Sequence, residues 1–183
     1  MINENKLITP VILGGDLGAY SMARAFAESL GVISYVFARD RLAICDCSVF
    51  TKLIVIKDLD KPDVATSVLI EFAKEHNEEA LILVPTSDWY MKVLQYSRND
   101  LSDYFFYIPD FKLWESLSDK SKFYEVLSEY GIDYPKSITC SEETIDSIAE
   151  KIAGLKQPYV LKPADSSLYW KYPFEGMKRF IFL

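Results

Sequence analysis

The chain has 183 residues, half of them apolar and 14% aromatic, with only seven glycines and eight prolines. Such a composition excludes a disordered or fibrous chain, and the length accommodates one full domain and part of another. The formal charge of −7, with no long basic run, sets the average field against nucleic acid and anionic membrane surfaces as partners.

The opening residues Met1-Ile2-Asn3-Glu4-Asn5-Lys6 are polar and acidic, unlike a signal peptide. No apolar stretch approaches the roughly 20 residues needed to cross a bilayer. Cys45, Cys47 and Cys140 are an odd number of cysteines, which suits free thiols in a reducing cytoplasm. Cys45-Asp46-Cys47 lacks the second cysteine pair or histidine cluster that a metal site needs, so a structural role is expected.

Taken in chain order, apolar segments alternate with helical patterns, the mark of a mainly parallel sheet covered by helices. Pro10 to Leu13 reads as a short buried strand ending at Gly14-Gly15. A helix follows from about Leu17 to Leu30, with Ala19, Met22, Ala23, Phe26, Ala27 and Leu30 forming one stripe. Gly31 stands where a left-handed C-terminal residue is expected. Val32 to Phe37 and Lys52 to Ile56 are the next strands, and Ala38 to Thr51 joins them without a clear period. Asp60-Lys61-Pro62 opens a helix whose Val64, Val68, Leu69, Phe72 and Ala73 face inward.

Ala80 to Val84 is a continuous apolar run, as in a central strand. Pro85-Thr86-Ser87-Asp88 caps a helix from about Trp89 to Ser97. Tyr104 to Ile108 is a fifth strand, closed by Pro109. Beyond Phe111 the pattern changes to short helices, Phe111 to Leu117 and Asp119 to Tyr130. An extended Tyr134 to Thr139 follows, since a residue before proline avoids the helical region. Then come a helix at Glu142 to Ala153, a strand at Pro158 to Pro163 and the start of another at Lys178 to Leu183. A strand with one partner cannot complete a domain. The expected organisation is therefore an α/β Rossmann-like domain over residues 1–114 and an incomplete second lobe over 115–183.

Several positions carry a chemical reading beside a plainer one. Gly14-Gly15-Asp16-Leu17-Gly18 follows a strand and opens a helix, where doubly wound folds bind ligands. The third fingerprint position holds Asp16 rather than glycine, and its carboxylate would repel a pyrophosphate, which disfavours an NAD enzyme. Asp16 either caps the helix or, with Gly14 and Gly15, faces an amine-bearing or hydroxyl-bearing substrate. Thr86, Ser87 and Asp88 point to the same crevice and read equally as a helix cap. Arg39-Asp40-Arg41 ends the second strand and reads first as a solvated charged loop. His76, the single histidine, sits at a helix C-terminus, where the dipole favours its charged form. With one histidine and no positioned nucleophile, a Ser–His or Cys–His hydrolase is excluded. Lys120 and Lys162 read separately as surface charges, but Lys162 ends an apolar strand and a half-buried ammonium needs an anion. Together, two such lysines can clamp a phosphate.

The chain resembles the ATP-grasp superfamily of carboxylate–amine ligases. The resemblance rests on Asp119-Lys120-Ser121-Lys122-Phe123, on Gly131-Ile132-Asp133-Tyr134-Pro135-Lys136, and on Pro158-Tyr159-Val160-Leu161-Lys162-Pro163 in that order. The preceding domain resembles a pre-ATP-grasp domain. Gly14 to Ser21 and Tyr169 to Met177 are similar to the D-aspartate ligase-like branch. The resemblance implies ligation of a small-molecule carboxylate to an amine with ATP and Mg²⁺ through an acylphosphate, in the cytoplasm and in a cell-wall setting. By matched position, Lys120 and Lys162 would contact ATP, and Asp165, Ser166 and Ser167 would lie in the loop over its phosphates. Gly14, Gly15, Asp16, Thr86, Ser87 and Asp88 would face the substrate.

That loop lacks the family's usual glycines. The adenine hinge, the Mg²⁺-binding acidic and Asn residues and the acylphosphate-binding Arg follow this region in the family. No catalytic or metal residue is therefore expected within it, and the fragment is expected to be inactive. A non-catalytic Rossmann-like binding or dimerisation module is the alternative, and a homodimer stays open under either reading.

Overall fold

The computed structural model describes residues 6–141, 146–155 and 163. The chain divides into two compact units, Met1–Pro109 and Asp110–Leu183.

The first unit is a five-stranded parallel sheet with helices on both faces. Its strands are β1 (Ile8–Leu13), β2 (Ser34–Ala38), β3 (Thr51–Val55), β4 (Ala80–Pro85) and β5 (Tyr104–Phe105), in the spatial order β3-β2-β1-β4-β5. The helices are α1 (Leu17–Leu30), α2 (Ala43–Asp46), α3 (Pro62–Glu75) and α4 (Asp88–Ser97). The chain runs outward from β1 through β2 to β3, then crosses back through α3 to β4. The order reverses between β1 and β4, whose register pairs Val11 with Leu83 and Leu13 with Pro85.

Alternation along the strands sorts the core into two layers. Val11, Leu13, Leu81 and Leu83 face α3 and α4, meeting Leu69, Phe72, Val93 and Leu94. Ile12 and Val36 face the other way, onto Ala19 and Ala23 of α1 and Cys45 of α2. Both faces of β1 are covered, which is why Val11-Ile12-Leu13 is apolar without interruption and fully buried.

Local chemistry sets the helix ends. Gly31 takes φ +69° after α1 and donates its amide to the Ala27 carbonyl. Pro62 opens α3, where its missing N–H costs nothing. Three expectations differ from the structure. The apolar stripe of α1 is narrower, since Met22 and Leu30 are exposed while Ala19 and Ala23 are buried; small side chains let the helix sit close to the sheet. The connection after β2 contains the short α2, held by the Thr51 hydroxyl on the Cys45 carbonyl. The fifth strand pairs over only two residues, and Tyr107 beyond it is almost wholly exposed.

In the second unit, α5 (Phe111–Ser118), α6 (Lys120–Glu129) and α7 (Ile148–Ile152) are described. Asp110 caps α5 by accepting from the Leu113 amide at 2.9 Å, and Asp119 caps α6 by accepting from Ser121 and Lys122. Tyr124 stacks on Tyr134 at 4.9 Å between ring centres. The expected strands at 158–163 and 178–183 fall on segments that, Pro163 apart, lie outside the described residues.

Candidate functional site

Ligands of open α/β sheets bind beyond the carboxyl ends of the strands, where the strand order reverses. Here that place lies between β1 and β4. It brings together Gly14, Gly15 and Asp16 from the first turn with Thr86, Ser87 and Asp88 from the other.

The floor of this crevice is closed by threonine. Thr86 donates its amide and its hydroxyl to the Leu13 carbonyl, at 3.0 and 2.9 Å. Gly14 turns with φ +128°, and its amide donates to the Phe37 carbonyl of β2 at 2.9 Å. A Cβ on Gly14 would stand 2.1 Å from the Thr86 hydroxyl oxygen. Only glycine supplies both that backbone angle and that approach. Gly15 packs on Ala38, so the turn after β1 also rests on the exit of β2.

The helix starts at this edge are already engaged. One carboxylate oxygen of Asp16 accepts from the Gly18 and Ala19 amides at 3.0 and 3.2 Å. Asp16 is thus the cap of α1, the plainer of its two readings. The Ser87 hydroxyl accepts from the Tyr90 amide at 3.4 Å and caps α4. Asp88 occupies the first turn of α4, where a negative charge suits the helix dipole.

Two aromatic residues that sequence reasoning passed over tie the neighbouring loops to this edge. The Trp89 indole N–H donates to the Asp60 carbonyl at 3.0 Å, fixing the turn after β3. The Tyr90 ring lies beside Gly14 and its hydroxyl against the Arg39 backbone. Burial pushes the Tyr90 phenol up, opposed by Arg39 and reinforced by Asp60 and Asp40. The signal that could have found them is a Trp-Tyr pair placed directly after a strand-end cap.

Arg39 projects from the exit of β2. Its Nε donates to Asp40 at 3.0 Å, and that bond raises the guanidinium pKa further, with the charges of Asp40, Asp60 and Tyr90 adding to it. Arg41 is bonded to Asp46.

Of the residues expected at ATP, Lys120 begins α6, directly after the capping Asp119. Lys162, Asp165, Ser166 and Ser167 lie outside the described residues. Among the described residues, no three His, Cys, Asp or Glu side chains group to hold a metal ion. Nor is any described helix long and apolar enough to cross a membrane. Cys45 is buried, while Cys47 and Cys140 are exposed free thiols.

The opposite end of the sheet carries a different polar group. His76 Nδ1 lies 2.8 Å from Glu79, which also accepts from the buried Thr9 hydroxyl. The histidine ring stacks on Phe72 at 4.1 Å and meets the edge of Tyr35. An open depression of about 460 Å³ lies there, lined by Lys6, Lys74, Asn77 and Phe105 among others. Its polar groups largely satisfy one another, Lys6 donating to the Asn77 carbonyl at 2.9 Å, so this end reads as a structural clasp.

No family model matches the sequence. A D-aspartate ligase of Enterococcus faecium is 35% identical over 182 residues, covering 96% of this chain and 43% of that protein. Over that stretch the chain is similar to a D-aspartate ligase. The resemblance to ATP-grasp carboxylate–amine ligases read from its motifs therefore stands.

The fold agrees. An L-amino acid ligase from Bacillus licheniformis superposes with a TM-score of 0.55 at 15% identity, covering 90% of this chain and 38% of that one. The N5-carboxyaminoimidazole synthetase of Staphylococcus aureus, solved with ADP, gives 0.57 at 17% identity, covering 90% and 40%. The chain thus spans about two-fifths of the length of the proteins it matches.

Proposed function

We propose that the chain is the leading part of an ATP-dependent carboxylate–amine ligase that acts on an acidic amino acid. The observation that carries this reading is the 35% identity to a D-aspartate ligase along 96% of the chain, on a fold shared with other ligases. In that reaction a carboxylate oxygen attacks the γ-phosphorus of ATP and ADP leaves. The amine nitrogen then displaces inorganic phosphate from the acyl carbon, and its proton passes to solvent. Such catalysis is mostly positioning and charge neutralisation.

Within it, the edge formed by Gly14, Gly15, Asp16, Thr86, Ser87 and Asp88 faces the amino-acid substrate. The acids there match an ammonium group, and the capped helix starts leave little for a phosphate. Lys120 and Lys162 clamp the nucleotide as point charges, with Asp165, Ser166 and Ser167 over its phosphates. Mg²⁺ belongs to the complete ligase; among the described residues no three His, Cys, Asp or Glu side chains group to hold it. The same reading puts the protein in the cytoplasm, supplying peptidoglycan synthesis.

The test uses the full-length protein with ATP, Mg²⁺ and D-aspartate, and hydroxylamine to trap an acylphosphate as the hydroxamate. D-aspartate-dependent ADP release with hydroxamate formation is expected; ATP turnover indifferent to every amino acid offered would sink the reading. Residues 1–183 alone are expected to bind ATP weakly or undetectably, since lysine point charges in water attract little. Micromolar affinity by calorimetry would contradict this.

A further inference from the structure

A ligase that activates one carboxylate of a dicarboxylic amino acid must hold the other where it cannot react. The carboxyl edge of the sheet, where open α/β folds bind ligands, is the place in this chain to look for its donors. Three kinds of donor stand there, and several of them are already engaged. Backbone amides at the start of α1 are taken by Asp16, and the Tyr90 amide of α4 is taken by Ser87. The Thr86 hydroxyl is committed to the Leu13 carbonyl. Among the guanidinium groups, Arg41 is bonded to Asp46 through a terminal nitrogen.

Arg39 differs in which atom is engaged. Asp40 accepts from its Nε, and among the described residues neither terminal nitrogen makes a hydrogen bond or ion pair. A guanidinium gripped at Nε keeps its outer pair of N–H groups for a second planar acceptor, and a carboxylate fits that pair bidentately. The base of the residue is fixed as well. The Gly15 turn packs on Ala38, and the Tyr90 hydroxyl lies against the Arg39 backbone. The side chain is 57% exposed, so it can reach a ligand above the switch point. Asp40 and Asp60 beside it suit the ammonium group that any such amino acid carries.

We infer that Arg39 is the specificity-determining residue that holds the unreacted carboxylate of the amino-acid substrate. The inference rests on the ligase reading above.

The experiment is steady-state kinetics of the full-length protein and three variants, following ADP release with D-aspartate and ATP varied separately. Arg39→Gln should raise KM for the amino acid about 10- to 100-fold, the range for losing hydrogen bonds to a charged group, with KM for ATP and the melting temperature unchanged. Arg39→Lys should recover part of the loss, because it restores the charge without the planar fork. Arg41→Gln removes the same charge nearby and should leave all constants near wild type. Unchanged kinetics for Arg39→Gln in an active wild-type background overturn the inference alone. Equal KM increases for Arg39→Gln and Arg41→Gln also overturn it, since they would report a general charge effect. A wild type without amino-acid-dependent ATP turnover removes the ligase reading, and the inference with it.

Discussion

Gly14→Ala tests the geometry of the switch point directly. The new Cβ would stand 2.1 Å from the Thr86 hydroxyl oxygen on a backbone at φ +128°. That angle belongs to a region open essentially to glycine alone, and forcing another residue there costs about 1–3 kcal/mol. The overlap adds about 1–3 kcal/mol more, as overpacking usually does. Thr86 is short and bonded to the Leu13 carbonyl, so it cannot swing aside without giving up that bond, about 1 kcal/mol. The expected loss is roughly 3–7 kcal/mol, read as a fall in melting temperature of at least about 12 °C for a unit of this size. Gly31→Ala supplies the comparison, because its φ is also positive but nothing lies within 4 Å of the added methyl; it should cost only about 1–2 kcal/mol. Far-UV circular dichroism during denaturant and thermal unfolding measures both. A double variant with Thr86→Ala should recover the overlap, showing a coupling of about 1–3 kcal/mol. A Gly14→Ala protein as stable as Gly31→Ala, or strictly additive with Thr86→Ala, refutes the reasoning.

Asp16→Ala should lose the cap of α1, about 1 kcal/mol, while Asp16→Ser keeps most of it; equal stability of Ala and wild type by denaturant unfolding would count against the capping role. Ser34 is fully buried, and its hydroxyl has no hydrogen-bond partner among the described residues. Ser34→Ala should therefore leave stability unchanged or raised, and a loss above about 1 kcal/mol would mean that the hydroxyl has a partner. Burial pushes the Glu79 carboxyl up, but the Thr9 and His76 hydrogen bonds, with the charges of His76 and Lys52, outweigh it and hold the group below its usual range. The unfolded chain then binds more protons in acid, so this stabilisation is present above the ordinary glutamate value near 4.5 and fades as pH falls through the lower folded value. Glu79→Gln should flatten that part of the stability–pH curve, and an unchanged acid limb would exclude the clasp.

The fold was legible because its strands and helices announce themselves by different means. Val11-Ile12-Leu13 and Ala80 to Val84 are unbroken apolar runs, which only a strand covered on both faces requires, and Pro62 and Gly31 punctuate helices at their ends. What escaped was set by partners distant in sequence. Tyr104 belongs to a strand of two residues only, and its hydroxyl donates to the Leu69 carbonyl at 2.7 Å, a tie that no alternation along the strand announces. His76 looked like a residue answering a helix dipole; its position is set by Phe72, Tyr35 and Glu79, none of which a period along α3 could identify together. Trp89 and Tyr90 fall at the start of an expected helix, and their ties to Asp60 and Arg39 exist only once β2, β3 and β4 lie in one sheet.

The candidate site shows the same division at a finer level. A glycine turn after the first strand is common to folds that bind pyrophosphate and folds that do not, so the turn by itself selects no ligand. The single residue Asp16 decides. By accepting from the Gly18 and Ala19 amides it supplies from within the chain the negative charge that a dinucleotide would bring, and a second anion would meet both a repelling carboxylate and spent donors. The helix start is thereby withdrawn from phosphate recognition. On the ligase reading proposed above, recognition at this edge then falls to side chains such as Arg39, which Asp40 engages through Nε while its terminal nitrogens make no hydrogen bond among the described residues.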